Sequence, residues 1–344
     1  VIRFEETFLN EGMLPMTIQI MSGRDADIDS VVAWLAEHRP LFDAHLSTHG
    51  AVLLRGFSAL DGAEPFSRAL GALAAHLMDY IGGTAPRHTV LGNILTATDL
   101  PHEYTLALHQ EMAYTANPPD RVAFFCDIPP TEGGETTIAD AREITRRLSP
   151  GIRERFERQG LRVRRTLPTP DMLHLRPGIP KAWPAVFGTH DPSEVERIAG
   201  DKGWDIHWLP NGCLQLWQEM LPAFKTHPST GERVWFNQAH YHTPDCTLKW
   251  AQRDGRTEHC ELIRTAMTDH PEMLDNVFHR DGSAVARDDS EHIWETLMAM
   301  EVPLKWQASD LLMLDNVLAM HGRLAYRGQR RILAALIRNT VVTH

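Results

Sequence analysis

Residues 310–337 read DLLMLDNVLAMHGRLAYRGQRRILAALI. Three apolar runs stand out, Asp310–Asp315, Leu318–His321 and Arg331–Ile337. Each is strand-length and bounded by polar or glycine breaks, so the segment reads as a closing set of strands. Working outward, Gly231–Asn237 reads as another strand, and Trp204–Leu209 with Cys213–Gln218 flank a Pro-Asn-Gly hairpin signal. Val122–Cys126 and Ala51–Phe57 are further short apolar runs. Helical spacing is confined to the intervals between them: Asp27–His49, divided by Pro40, then Pro65–Met78, Ala139–Leu148, Ser149–Gln159, Ser193–Ala199 and Asp289–Met300. Many strands with helices added outside predict a mainly β chain, with a sandwich or barrel core in one domain over residues 1–344. Helical insertions are expected at about 139–200 and 246–305.

Composition narrows the function. Of 344 residues, 34 are Lys or Arg and 45 are Asp or Glu, giving a formal net charge of −11. That balance argues against a nucleic-acid binder. The short basic runs Arg146–Arg147 and Arg162–Arg165 read as solvated faces. No apolar run approaches the ~20 residues that span a bilayer. The start, Val-Ile-Arg-Phe-Glu-Glu, lacks a basic region followed by an apolar stretch, so no signal peptide is expected. The cysteines Cys126, Cys213, Cys246 and Cys260 are far apart, which suggests reduced thiols and a cytoplasmic location.

Nineteen histidines invite a search for metal ligands. His109-Gln-Glu111 and His279-Arg-Asp281 both place a carboxylate two residues after an imidazole. On an extended strand those side chains share a face. Two histidines and one carboxylate leave three adjacent positions open on a metal, which suits non-haem Fe(II). His279 and Asp281 lie in a polar stretch and read as surface. Arg331 opens an apolar strand, and an inward arginine there needs an anion. Its guanidinium is a natural clamp for a dicarboxylate. Arg330 must face the other way, and periodicity does not choose between the two.

Taken together, His109-x-Glu111, Gly133-Gly-Glu-Thr136, Leu314-Asp-Asn316, His321-Gly-Arg323 and Arg331 resemble the taurine dioxygenase (TauD/TfdA) superfamily of Fe(II)- and 2-oxoglutarate-dependent oxygenases. Leu108–Tyr114, Asn117–Cys126 and Gly231–His240 resemble its branch of aspartyl hydroxylases from syringomycin-type peptide pathways. The resemblance implies a double-stranded β-helix, a jelly-roll or cupin-like core of the clavaminate synthase-like kind. It implies His109, Glu111 and His321 as iron ligands, with Thr136 and Arg331 holding 2-oxoglutarate. The implied cofactors are Fe(II), 2-oxoglutarate and O2, and the implied reaction yields succinate and CO2 while oxidising a second substrate. Glu111 argues for hydroxylation over halogenation, because related halogenases carry a small residue there.

The expected substrate is an amino acid, free or tethered to a carrier protein, in natural-product biosynthesis. Asn237 and Arg323 are candidate substrate contacts. Desaturation, cyclisation, a non-catalytic binding barrel and a zinc hydrolase are the rival readings, and the chain could form a homo-oligomer. Two departures from the family pattern are visible. Taurine dioxygenase carries a second arginine four residues after the first, where this chain has Ala335, which puts a sulfonate substrate in doubt. The usual Gly-Asp before the leucine-rich strand is Ser309-Asp310, a change with no expected consequence.

Overall fold

The computed structural model describes residues 2–10, 14–73, 76–78, 87–98, 100–176 and 181–339. Two sheets face each other. The larger has nine strands, and its centre runs Ala51–Arg55, Leu311–Asp315, Arg121–Ile128, Arg331–Arg338. The smaller runs Val302–Leu304, Thr136–Asp140, Ala319–Arg323, Leu106–His109. From Leu106 onward the core strands alternate between sheets, except that Val302–Leu304 follows Thr136–Asp140 in the smaller one, and Asn316–Leu318 carry the chain from Leu311–Asp315 across to Ala319–Arg323. That alternation is jelly-roll topology. The barrel is not closed. Every pairing is antiparallel except that of Met16–Ser22 with Ala51–Arg55.

Between the sheets lies a packed layer that includes Phe124, Ile138, Leu312, Leu314, Ile332 and Leu336. The opposite face of the large sheet is also buried. Phe125, Leu311, Met313, Leu333 and Ile337 pack there against helices Ile28–His49 and Ala63–Leu73. Both faces of Arg331–Arg338 are therefore apolar, so the strand reads as a continuous hydrophobic run with no alternation. Burying one such side chain stabilises by roughly 1.5–3 kcal/mol.

Pro40 does not divide the first helix. Ile28–His49 is continuous, capped by the Asp27 carboxylate on the Ser30 N–H and ended by Gly50 at φ 76°. Pro40 sits on the exposed face while Val31, Trp34, Leu35, Phe42 and Leu46 pack inward. Core burial offsets the proline cost of ~3 kcal/mol.

The two insertions mix helix and strand. Residues 139–200 contain helices Ala141–Arg147, Pro150–Gln159 and Pro192–Asp201, but also strand Arg162–Leu167. That strand joins the hairpin Asp205–Trp208/Leu214–Trp217 and strand Asn276–Phe278 in an outer four-stranded sheet. All four cysteines are buried and free. Among the described residues, no helix is long and apolar enough to cross a membrane.

Candidate metal and cosubstrate site

His109 ends its strand and His321 is the middle residue of Ala319–Arg323. The two are register partners, and their ring centroids lie 4.4 Å apart. Gly322 permits this approach. A Cβ there would lie 2.5 Å from the Leu106 carbonyl oxygen and 2.7 Å from Thr137 Oγ1. Only glycine lets the two backbones meet so closely.

Glu111 arrives differently from the expected same-face strand. The strand stops at His109, and Glu111 lies in the turn that follows. Asn316 fixes that turn. Its Oδ1 accepts from the Glu111 N–H at 2.7 Å, and its Nδ2 donates to the Glu111 carbonyl at 3.0 Å and the Pro119 carbonyl at 2.9 Å. The next residue, Met112, has φ 54°, a left-handed conformation that a non-glycine residue adopts only under constraint. The turn that aims Glu111 is thus held by a side chain two hundred residues away in the chain.

The three donors converge in a dry place. His109, Glu111 and His321 are all buried, and one ligand atom from each lies within 4.8 Å of the others. Glu111 Oε2 is 3.8 Å from His109 Nε2 and 3.6 Å from His321 Nε2. His109 Nδ1 lies 2.8 Å from the Ala107 carbonyl oxygen, the arrangement that leaves Nε2 with its lone pair inward. Burial pushes His321 down to about 4 and so keeps it neutral. For Glu111, burial raises the pKa, but the Arg87 guanidinium 2.8 Å away and both imidazoles outweigh it and hold the carboxyl well below its usual range. A neutral His321 imidazole and an ionised Glu111 carboxylate are protonation states that a divalent metal needs. The donor set fits Fe(II).

Beside it lies a cavity of about 350 Å³, lined among others by Arg87, Phe124, Thr136, His321, Arg323 and Arg330. Thr136 Oγ1 accepts a hydrogen bond from Trp306 Nε1 at 3.0 Å. Gly133 and Gly134 precede it in the chain, and a Cβ on Gly133 would overlap the Ala325 carbonyl.

Arg331 is not in this cavity. It is on the outer side of the strand, with its side chain 49% exposed and paired to Asp127 at 2.9 Å. Arg330 is the one that turns inward. It shares its phase with Ile332, Ala334 and Leu336, the residues that pack between the sheets. Its Nε donates to the Gly134 carbonyl at 3.1 Å, its guanidinium lies over the Tyr326 ring, and burial draws its pKa down to about 10. Among the described residues no carboxylate lies within ion-pair distance of it. Counting from Arg330, the fourth residue on is Ala334, so the second arginine is still missing.

The other candidates are placed as follows. Arg323 lines the cavity, yet its guanidinium donates to the carbonyls of Leu100, Pro101 and Tyr104 and makes no ion pair to Asp315 or Glu111. Asn237 is outside the cavity, and its amide is used internally, donating to Ala223 O and accepting from Ala239 N. His279 is buried rather than on the surface, with its ring against the Gly160 carbonyl, while Asp281 is exposed. His240 faces the Leu108 carbonyl and His242 faces Asp275, so they form no second metal site. The geometry adds Arg87, Trp306 and Asn316 to the site. Asn316 lies inside a motif that was visible, whereas nothing local marks Arg87 or Trp306.

Known proteins resemble this chain both in sequence and in fold. The chain is 31% identical over 299 residues to a clavaminate synthase-like protein of Arabidopsis thaliana, covering 86% of this chain and 83% of that one. It is 28% identical over 330 residues to the dapdiamide synthesis protein DdaC of Enterobacter agglomerans, covering 96% and 93%. Among solved structures, PvcB of Pseudomonas aeruginosa superposes with a TM-score of 0.52 at 15% identity over 98% of this chain and 92% of that one. AAD-2, in complex with Mn(II) and N-oxalylglycine, gives 0.53 at 13% identity over the whole of both chains. The profile of one family matches residues 14–336, nearly the entire length. The chain belongs to the taurine catabolism dioxygenase TauD, TfdA family, and is a dioxygenase.

Proposed function

We propose that this enzyme hydroxylates an amino acid in natural-product biosynthesis, with His109, Glu111 and His321 holding the iron and Arg330 with Thr136 receiving the distal carboxylate of 2-oxoglutarate. The observation that carries the cosubstrate assignment is the inward guanidinium of Arg330, which has no carboxylate partner among the described residues and lies beside a candidate three-donor metal set. A buried cation of that kind is costly until an anion arrives. A carboxylate meets the arginine fork through two parallel hydrogen bonds, and the Thr136 hydroxyl adds a third contact.

Bound iron supplies the oxidation chemistry, with 2-oxoglutarate and O2 as co-reactants and succinate and CO2 as products. The chain's own residues arrange the rest. Asn316 keeps Glu111 turned toward both histidines, Ala107 fixes the His109 ring, and Trp306 orients the Thr136 hydroxyl. The closed, apolar surroundings of the donors limit water. Glu111 fills the position that a halide would need, which supports hydroxylation. The similarity to a dapdiamide synthesis protein supports an amino-acid-like substrate.

The test is succinate release in air with Fe(II), ascorbate and 2-oxoglutarate, screened across proteinogenic amino acids, each free and as a carrier-protein thioester. Stimulation with a product 16 mass units heavier (roughly one added oxygen) supports hydroxylation. A product two units lighter (roughly two hydrogens lost) would replace it with desaturation or ring closure. No stimulation by any amino acid would remove that substrate class.

A further inference from the structure

The run Trp235–His240, reading WFNQAH, is buried at every position yet does not line the cavity beside the metal donors. It joins strand Arg233–Trp235 to the short helix Ala239–His242. Asn237 fixes the join, because its amide donates to the Ala223 carbonyl and accepts from the Ala239 N–H, each at 2.9 Å. At the start of the run, the Trp235 N–H donates to Thr145 Oγ1 at 2.8 Å, which anchors it to helix Ala141–Arg147. The run is therefore a fixed support.

Its two remaining polar side chains reach the segment that carries His109. His240 Nε2 donates to the Leu108 carbonyl, and Gln238 Nε2 donates to the Gln110 carbonyl at 3.2 Å. In return, Gln110 Nε2 donates to the Trp235 carbonyl at 2.7 Å. These bonds fall on the residues immediately before and after His109. Their place in the sheet gives them weight. Leu106–His109 is an edge strand of the smaller sheet, paired among the described residues only with Ala319–Arg323. An edge strand has backbone groups with no neighbouring strand to hold them. Here two side chains from one rigid run hold them instead. A carbonyl only accepts, so the bond to Leu108 also fixes the His240 ring with its hydrogen on Nε2.

We propose that His240 and Gln238 are positioning residues for the metal centre. Through the Leu108 and Gln110 carbonyls they set where His109 stands relative to Glu111. The inference rests on the reading of His109 and Glu111 as metal ligands. A metal requires its donors to be held to within about 0.5 Å. Asn316 holds the turn at Glu111, and the Trp235–His240 run holds the residues on either side of His109. Outer partners of metal ligands are typically worth about 10- to 100-fold in affinity.

The experiment is titration of the metal-free full chain with Mn(II), which takes the same kind of donors as Fe(II) and is stable in air. Binding is read by calorimetry and by loss of the free-ion EPR signal. His240→Leu and Gln238→Met should each weaken Mn(II) binding about tenfold or more. His240→Gln, which returns an N–H donor to the ring position, should recover the affinity to within about threefold of wild type. Phe66→Leu, a core change on the far face of the large sheet, should lower the melting temperature yet leave Mn(II) affinity within about twofold. That control separates lost position from lost stability. If His240→Leu does not fold, Gln238→Met decides by the same criterion. Affinities within about threefold of wild type in the folded Leu and Met variants would overturn the proposal, as would equal losses in His240→Leu and His240→Gln. His109→Ala tells the two readings apart. If it abolishes Mn(II) binding while His240→Leu and Gln238→Met leave binding intact, the ligand reading stands and the positioning role falls. If His109→Ala binds Mn(II) as wild type does, the ligand reading falls and the positioning role falls with it.

Discussion

Asp310 and Arg330 are two inward charges at the starts of strands that flank the same central strand, Arg121–Ile128. They are handled in opposite ways. Asp310 is fully buried and closed by the protein itself. Arg55 donates to it with Nε at 2.8 Å and Nη2 at 2.6 Å, and the Gln307 N–H donates at 2.7 Å. Arg330 has one backbone carbonyl and an aromatic face, with an open cavity in front. Desolvating a charge is costly in either place. Where the fold supplies the counter-charge, the group is structural. Where it supplies a cavity instead, the group is left facing open space, which is what the proposed role in binding an anion needs.

The contrast can be broken experimentally. The largest expected effect is at the donor set. His109→Ala should reduce substrate-coupled succinate release at least about a thousand-fold, ~4 kcal/mol of barrier, with little change in melting temperature. Normal coupled turnover in that variant would remove it as a ligand. Next is the closed pair. Arg55→Met leaves Asp310 buried and unpaired, and should cost roughly 3–5 kcal/mol of stability. Urea unfolding checks this, and a loss under 1 kcal/mol would show the pair to be incidental.

The open charge comes third. Arg330→Gln should raise the KM for 2-oxoglutarate by about 10- to 100-fold, the worth of a charge-assisted clamp, while stability holds. Arg331→Gln, which touches only Asp127 at the surface, should change it by less than about twofold. Reversal of those two outcomes would restore Arg331 to the site. The smallest effect concerns Ser309. It has φ 67°, a conformation that costs a residue with a Cβ about 1 kcal/mol, so the replacement of glycine in Ser309-Asp310 is not neutral. Ser309→Gly should stabilise by about 0.5–1 kcal/mol in the same unfolding assay, with turnover unchanged. A destabilised variant would show that the serine is retained for a contact.

Much of the architecture was legible before any coordinates. The strand runs around Val122, Leu311 and Arg331 are where the apolar pattern places them, and the Pro-Asn-Gly signal marks a real hairpin. The candidate metal donors could be named because His109-x-Glu111 and His321-Gly-Arg323 carry the resemblance to a family whose pattern they match. The Arg162–Arg165 run reads as a solvated strand face and does lie in a strand, Arg162–Leu167, but its place in an outer sheet with the hairpin and Asn276–Phe278 leaves no local signal. The helical break at Pro40 was overcalled because local propensity is overridden by packing on the opposite side of the helix.

What the sequence by itself determined is a mainly β sandwich or barrel core, which follows from short-range apolar patterning, while the jelly-roll class and the candidate set His109, Glu111 and His321 came from the resemblance to a family. The tertiary structure alone decided which of two adjacent arginines faces the cavity beside the candidate metal donors. Both sides of their strand are apolar, one buried by the second sheet and the other by helices, so the alternation that normally reports direction is erased. It also decided how Glu111 reaches the histidines. Its turn is held by Asn316, a contact between distant parts of the chain, and hydrogen bonds of that kind leave no period in a sequence.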